Sequence, residues 1–293
     1  MELRYWTLLI LLGAIWGSAF IFIKIAAPEF GAVPLVQARL IIASLIFVPI
    51  LFRNKYLLLL KPIWRHSLLL AITNNAIPFT LFSLASFGSD SNMLAILNAT
   101  TAFNTMIIAY FWLKEDVTLK QLIGLIMGFI GVIILVNPDA SSTSLISAIF
   151  CLMGAACYSF STVFIQKNSA KTNKLVLIGW SIIFSAFLMI PMTIIYMPES
   201  LPSTEAFLSV LWLGGVSTGL AFLGYVRLIE KIGAVKTSTV AYFLPIFGII
   251  WGYIFLDEII TPGIIFGCIT ILLGVFLATS KKIKKIESQA HAT

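Results

Sequence analysis

The chain has 293 residues, of which 60% are hydrophobic and only 11% are charged, and its formal net charge is +7. Soluble domains are about 45–50% apolar and about 25% charged, so this composition argues against an aqueous fold. We therefore predict an all-α polytopic membrane protein. Its three cysteines lie in apolar stretches without metal-ligand spacing, which predicts no metal site.

Ten apolar runs follow one another along the chain, each close to the roughly 20 residues that a membrane helix needs. They are predicted at 5–26, 33–52, 67–87, 92–113, 119–136, 144–166, 175–197, 205–226, 235–256 and 262–279. The first run is too long for the core of a signal peptide, so we expect it to remain as a helix. The connections are too short to hold a soluble domain.

The basic residues follow an alternating pattern. All lysines and arginines except Lys24 and Arg39 fall in the termini or in every second connection, whereas the other connections are acidic. By the positive-inside rule, both termini are predicted to be cytoplasmic. Because the positive charge is spread along one membrane face, we expect no nucleic-acid partner. The basic tail at 281–293 is predicted to face anionic lipid.

A repeat links the two halves of the chain: "LKEDVTLKQLIGLIMGFIGV" (113–132) aligns without gaps with "LDEIITPGIIFGCITILLGV" (256–275). The matching pairs are Leu113/Leu256, Glu115/Glu258, Thr118/Thr261, Gly124/Gly267, Gly131/Gly274 and Val132/Val275. Each copy ends a block of five predicted helices, and five is odd, so the second block enters the membrane from the opposite side. Inverted repeats of this kind are a common transporter plan, with the substrate site near the midplane between the halves.

The sequence resembles the EamA-type permeases of the drug/metabolite transporter superfamily over essentially its whole length. The resemblance rests on "WGSAF" in the first helix, on "GYVRLIEKIGAVKTSTVAYFLPIFGIIWGYIFLDE" (224–258) and on the two Glu-x-x-Thr…Gly…Gly helix pairs. It implies ten transmembrane helices in two inverted five-helix repeats, at 1–139 and 140–280, around a central cavity. It also implies a bacterial inner-membrane location, no cofactor, and export of amino acids or other small metabolites. Relatives carry sugars, nucleotide sugars or cations.

One departure from the family pattern concerns the fourth and ninth helices. The family often has proline in both, whereas here Pro245 corresponds to Ala102. We therefore expect a straighter fourth helix. Pro78, Pro191 and Pro245 are the candidate bends.

The shared carboxylates Glu115 and Glu258 lie at helix boundaries, where they are candidates for helix capping or for gating, with capping favoured. Thr118 begins a capping-box pattern, and Thr261 precedes a proline suited to the first helical position. Gly124, with the glycines four and seven residues later, allows close helix approach. Packing within one subunit is favoured there, and a homodimer face is the alternative.

Polar residues concentrate in the fourth helix. Asn98, Thr101 and Thr105 share one helical face, and Thr100 and Asn104 share the next. Such side chains usually face a bundle interior or water, so we predict that they line a substrate cavity. Hydrogen bonding between helices is the alternative.

Other helices contribute further candidates. We expect Asn74 and Asn75, one turn before Pro78, to join the polar surface. Tyr242 and Trp251 in the ninth helix offer aromatic walls, which would suit an amphipathic solute such as an amino acid with a sizeable side chain. Alternatively, these rings contact lipid or fill the core.

The segments "GAIWGS" (13–18) and "GAACYS" (154–159) align as the first helix of each half. This alignment makes Trp16 and Tyr158 candidate substrate contacts. It also makes Ser18 and Ser159 counterparts near the midplane.

The two remaining cations are unusual because they lie toward the acidic side. Lys24 is predicted to snorkel or to pair with Glu29, and it is a second-rank substrate contact. Arg39 is predicted to face the cavity, where it attracts a carboxylate or phosphate or pairs across a closed outer gate. Since no Asp or Glu lies deep in a predicted helix, the sequence offers no proton relay. Facilitated diffusion, exchange and antiport all stay open.

These observations predict an exporter of small organic metabolites that works by alternating access, with the substrate and the lipid bilayer as its partners. The alternative within transport is an importer or exchanger of a nucleotide-like or other anionic solute. A membrane-embedded enzyme is disfavoured, because no nucleophile is paired with a deep base and no His/Cys cluster is present.

Overall fold

The computed structural model describes residues 2–114, 117–136, 143–168, 173–232 and 237–279, and within these ranges the regular structure is helical. We number the main helical segments in chain order. They are α1 (Leu3–Phe30), α2 (Ala32–Leu51), α3 (Leu60–Gly88), α4 (Ser91–Leu113), α5 (Leu119–Val136), α6 (Leu145–Asn168), α7 (Lys174–Ile195), α8 (Thr204–Ile232), α9 (Val240–Leu256) and α10 (Pro262–Ala278). Segments α1 to α8 are long and apolar enough to cross a membrane, and α9 and α10 are shorter apolar helices. Each predicted run overlaps one of these segments.

Two segments contain wide helical turns that the sequence patterns do not reveal. A π-helical stretch at Ala71–Ala76 interrupts α3, and another at Trp212–Leu220 interrupts α8. Pro78 follows the first stretch directly and lies in the first turn of the α-helix Ile77–Ala85. A proline ring clashes with the carbonyl four residues earlier in a regular helix, and the wider turn accommodates it.

The expectation of a straighter fourth helix is wrong, because α4 breaks after Asn98. Around Ala99 and Thr100 the backbone amides bond to carbonyls three residues earlier. The hydroxyls of Thr100 and Thr101 also donate to carbonyls three residues earlier, at 2.7 Å each. Side chains of this type compete with the regular helical pattern, so the break needs no proline.

The ninth segment has a comparable irregularity. A 3₁₀ stretch at Ser238–Tyr242 precedes the α-helix Phe243–Leu256. Pro245 therefore lies in the first turn of that α-helix, where a proline is tolerated.

Segments α5 and α10 cross antiparallel through glycines. A Cβ atom on Gly124 would lie 2.5 Å from the carbonyl oxygen of Gly274, and one on Gly274 would lie 2.7 Å from that of Gly124. Gly131 and Gly267 form a second reciprocal pair, at 3.0 and 3.3 Å. Gly128 leaves room for the ring of Phe103. The chain itself therefore covers this glycine face, as the packing interpretation predicts.

The ends of α4 and α9 have matching geometry. Lys114 and Asp257 adopt left-handed conformations, with φ of 55° and 51°. Each donates its backbone N–H to the carbonyl five residues earlier, on Ala109 and Gly252. The two residues occupy corresponding positions in the repeated sequence.

The helix caps read from the sequence are confirmed. Thr118 and Gln121 bond reciprocally, with the Thr118 N–H donating to the Gln121 amide oxygen at 2.9 Å. The Thr261 hydroxyl accepts from the Ile264 N–H at 3.2 Å. Both pairs lie three residues apart, which is why the sequence alone predicts them.

Candidate functional site

Arg39 of α2 is a buried cation without a carboxylate partner in the described part of the chain. Its side chain is 7% exposed, and its Nε donates to the Thr218 hydroxyl of α8 at 2.8 Å. Its guanidinium carbon lies 3.8 Å from the ring centroid of Phe79 in α3. No Asp or Glu among the described residues forms a salt bridge with it. Because an uncompensated buried charge is costly, a role for this charge is expected.

The π-helical stretch of α8 holds Arg39 in place. Gly214 lets α2 approach closely, since a Cβ there would lie 2.7 Å from the Arg39 carbonyl oxygen. The Thr218 hydroxyl donates its own hydrogen to the Leu213 carbonyl at 2.8 Å. That bond spans five residues and uses the only hydroxyl hydrogen, so the oxygen is left to accept from Arg39.

Four rings extend from the guanidinium, and we call them the aromatic row: Phe79, Tyr158, Phe82 and Phe20. Phe79 meets Tyr158 edge-on at 6.4 Å between ring centroids, and Tyr158 stacks on Phe82 at 6.0 Å. Phe82 meets Phe20 edge-on at 5.6 Å. The row brings α3, α6 and α1 together. It therefore places apolar surface next to the buried cation.

Trp16 and Ser18 of α1 contact the same stretch of α8. The Trp16 indole N–H donates to the Ser217 carbonyl at 3.0 Å, and the Ser18 hydroxyl accepts from the Trp212 indole at 3.0 Å. Ser217 precedes the threonine that binds Arg39. The structure thus brings Trp16, Ser18, Arg39 and Tyr158 into one neighbourhood around α8 and Phe79.

Asn75 belongs to a separate network between α3 and α7. Its side chain is fully buried, and its amide nitrogen donates to the hydroxyls of Ser181 and Ser185 at 3.2 and 3.0 Å. Asn74 donates to the amide oxygen of Asn75 at 3.2 Å. At the spacing of the ungapped repeat, which pairs residue 113 with 256, Asn75 corresponds to Thr218, whereas Arg39 corresponds to Ile182. The Asn75 network is neutral, in contrast to the contact of Thr218 with Arg39.

The polar residues of α4 have different surroundings. The Thr101 carbonyl accepts from the Ser159 hydroxyl of α6 at 2.8 Å. The amide oxygen of Asn98 is buried and has no hydrogen-bond partner among the described residues. Asn104 instead lines a cavity of about 50 Å³ with Gly128 and Leu152, between α4, α5 and α6. The lining of this cavity does not include Arg39.

The aromatic residues of α9 also point to different neighbours. The Trp251 indole donates to the Ala14 carbonyl of α1 at 3.0 Å, and its ring stacks on Phe247. The Tyr242 hydroxyl donates to the Val275 carbonyl of α10 at 3.4 Å. Trp251 therefore packs against the first helix, whereas the Tyr242 hydroxyl bonds to α10.

The predicted pairing of Lys24 with Glu29 is wrong. The Lys24 ammonium donates to the carbonyls of Ser86 and Ser89 at 2.9 and 2.6 Å, at the end of α3. Carbonyls at a helix C-terminus are unpaired and attract a cation. The Glu29 carboxylate accepts instead from the N–H and hydroxyl of Ser203, at 2.5 and 2.7 Å.

Glu258 caps a neighbouring helix. Its carboxylate is 8% exposed and accepts from the N–H groups of Ser91 and Asn92, at 2.5 and 3.0 Å. These two groups begin α4, so the cap joins the loop after α9 to the fourth segment. Glu115, its counterpart in the repeat, lies outside the described residues.

Sequence reasoning missed Thr218 and Phe79, the two side chains that hold the guanidinium. Thr218 belongs to "GGVSTG" (214–219), a run of small and hydroxyl residues that is a usable sign of close helix approach. Phe79 carries no comparable signal. It is one of 23 phenylalanines in an apolar chain.

Comparison with known proteins gives consistent results. Residues 4–137 and 145–280 each match the model of the EamA-like transporter family. A protein of Archaeoglobus fulgidus named an uncharacterized transporter is 23% identical over 96% of this chain and 100% of its own length. A probable amino-acid metabolite efflux pump of Salmonella typhimurium is 23% identical over 92% of this chain and 93% of its own. A crystal structure of another protein, 16% identical, superposes with a TM-score of 0.66 over 93% of this chain and 95% of its own, which shows a similar fold.

Proposed function

We propose, because the chain belongs to the EamA-like transporter family, that it exports small organic metabolites such as amino acids across the bacterial inner membrane. The chain is a multi-pass membrane protein and its relatives are transporters. The name of the Salmonella relative supports amino-acid metabolites as the substrate class and efflux as the direction. The acidic and basic alternation of the connections supports cytoplasmic termini.

The proposed mechanism is alternating access between two inverted halves, at 1–139 and 140–280. The reciprocal glycine pairs of α5 and α10, and the matching left-handed residues Lys114 and Asp257, support ten helices in two inverted repeats. In such transporters the substrate site lies between the halves. Arg39 and its partner Thr218 come from different halves, so they are suited to that place.

The observation that carries the proposal is the buried Arg39, held by Thr218 and Phe79 and free of any carboxylate in the described structure. Among the predicted contacts, Tyr158 meets the same Phe79 ring, and Trp16 and Ser18 bond to the same stretch of α8. We assign substrate binding to this group. The other candidates bond or pack elsewhere in the described structure, and we assign them roles in holding the helices rather than direct contact with the substrate: Asn98, Thr101, Asn104, Ser159, Asn74, Asn75, Tyr242 and Trp251.

A second candidate, carriage of a nucleotide-like or other anionic solute in either direction, is favoured by the same positive charge. The two are separated by transport assays on the purified protein. Thermal-shift screening with a metabolite panel would select ligands, and counterflow in liposomes would then measure their flux. Uptake of an unaltered labelled amino acid supports the first proposal. Chemical conversion of the solute, or no flux for any metabolite in the panel, would overturn both.

A further inference from the structure

We infer that the Arg39 site takes one net monoanionic carboxylate per turnover, and that the loaded site changes its orientation much faster than the empty one, so that transport is mainly exchange. This inference rests on the proposed transport function and adds the substrate charge and the mode of transport. It begins from the charge balance of the site. Arginine stays protonated in proteins, so Arg39 contributes one positive charge to the site.

Two acidic groups of the described structure are engaged elsewhere. Glu29 is bound to Ser203, and Glu258 caps α4. The second cation, Lys24, is neutralised in part by the end of α3. Around Arg39 the described neighbours are a hydroxyl and a ring, which solvate the charge without cancelling it.

The geometry leaves one edge of the guanidinium for a ligand. Nε is bound to Thr218, and one face lies on Phe79. The two terminal nitrogens make no hydrogen bond to the described residues. Two parallel N–H groups on that edge match the two oxygens of one carboxylate. The aromatic row then offers an apolar surface for the body of the same molecule.

The charge balance distinguishes carboxylates from amino acids. An α-ammonium group would enter beside the guanidinium, and no described carboxylate is present there to pair with it. A 2-oxo acid has the same carbon skeleton without that cation. We therefore expect 2-oxo acids to be better substrates than the amino acids that match them.

Exchange is expected because enclosing the unpaired guanidinium of Arg39, away from water, costs free energy. In alternating access the site passes through an intermediate closed to both sides. An uncompensated guanidinium is expensive in that intermediate, whereas a guanidinium–carboxylate pair is less so. The buried network of Asn75 with Ser181 and Ser185 is neutral and adds no charge of its own. The described site therefore requires a single compensating anion.

The test uses the purified full-length protein in liposomes filled with labelled phenylpyruvate. Potassium on both sides with valinomycin removes any membrane potential, and protein-free liposomes give the passive leak. We expect release into buffer containing phenylpyruvate to be at least about tenfold faster than release into plain buffer, since the empty site carries a bare charge. L-Phenylalanine outside should accelerate release less. The pair 4-methyl-2-oxopentanoate and L-leucine should repeat the result.

Variants identify the cause. Arg39→Gln should abolish the difference between exchange and net release, and Arg39→Lys, which keeps the charge, should retain it with weaker substrate binding. Lys167, near the end of α6, places its positive charge over the Trp112 ring of α4. Lys167→Gln removes that charge and should leave the ratio of exchange to net release unchanged. Thermal unfolding of each variant confirms folding. If Arg39→Gln does not fold, the Arg39→Lys ratio and the wild-type substrate comparison still decide the inference.

The outcomes separate this inference from the proposed function. Net release as fast as exchange, or amino acids carried as well as their 2-oxo acids, would overturn the inference and leave metabolite transport intact. No flux for any member of a broad metabolite panel would overturn the proposed function itself.

Discussion

Gly124→Ala should destabilise the protein by separating α5 from α10. The new Cβ would lie 2.5 Å from the Gly274 carbonyl oxygen and 2.6 Å from the Ala278 nitrogen. Both are backbone atoms, so no side-chain rotation can relieve the contact. Ordinary contacts begin near 3.4 Å, so the helices must move apart by about 0.9 Å.

The size of the effect follows from two opposing terms. Overpacking of this kind costs about 1–3 kcal/mol, and alanine regains about 1 kcal/mol over glycine in a helix. Because the clash is with backbone atoms, the cost lies in the upper part of that range, at about 2–3 kcal/mol, and the net loss is about 1–2 kcal/mol. At about 2–4 °C per kcal/mol for a large domain, the midpoint of thermal unfolding in detergent should fall by a few degrees.

Gly224→Ala is the matched control. A Cβ at that glycine would have Leu12 as its nearest neighbour, at 3.7 Å, which is an ordinary contact. Its unfolding midpoint should be unchanged or slightly higher. Equal midpoints for Gly124→Ala, Gly224→Ala and the wild type, measured by fluorescence-detected gel filtration after heating, would refute the close helix crossing.

Three further substitutions test individual contacts. Glu258→Gln removes the charge from the cap of α4 and should lower the free energy of unfolding by about 1–2 kcal/mol, because hydrogen bonds to a charged group are stronger than neutral ones. Glu199→Gln, on the exposed connection before α8, serves as its control. An equal unfolding midpoint for the two variants would contradict the cap. Lys24→Met leaves two carbonyls at the end of α3 without a donor and should also lower the unfolding midpoint. Lys24→Arg, which keeps a donor, should have a midpoint close to that of the wild type in the same heating assay. A methionine variant as stable as the arginine variant would exclude the contact. Thr218→Val removes the acceptor of Arg39 Nε and should raise the KM for transport about fivefold or more, because a hydrogen bond to a charged group is lost. Thr218→Ser keeps the hydroxyl and should retain wild-type flux. Equal KM values for the valine and serine variants would exclude positioning by the hydroxyl.

The sequence predicts well what local spacing determines. The caps at Thr118 and Thr261 depend on neighbours three residues away, and the apolar runs depend on composition alone. In contrast, the partner of Glu258 lies 167 residues away in the chain, at Ser91, where no pattern in either segment indicates it.

The surroundings of the polar candidates are harder to predict from the sequence, because grouping residues by helical face requires a regular helix. A face read at 3.6 residues per turn does not continue through the break after Asn98, and the cavity that Asn104 lines does not include Arg39. The π-helical stretches in α3 and α8 likewise shift the faces on which Asn74 and Thr218 lie away from the faces of a regular helix. Arg39 was identifiable because its charge is out of place in an apolar run.

The α5–α10 crossing has a consequence for the origin of the chain. Gly124 meets Gly274 and Gly131 meets Gly267, so exchanging the two helices returns the same set of contacts. A surface with that property is complementary to itself. Under the proposed inverted repeat, two copies of one five-helix unit inserted in opposite orientations would meet through the same glycines, so joining them would require only a connection.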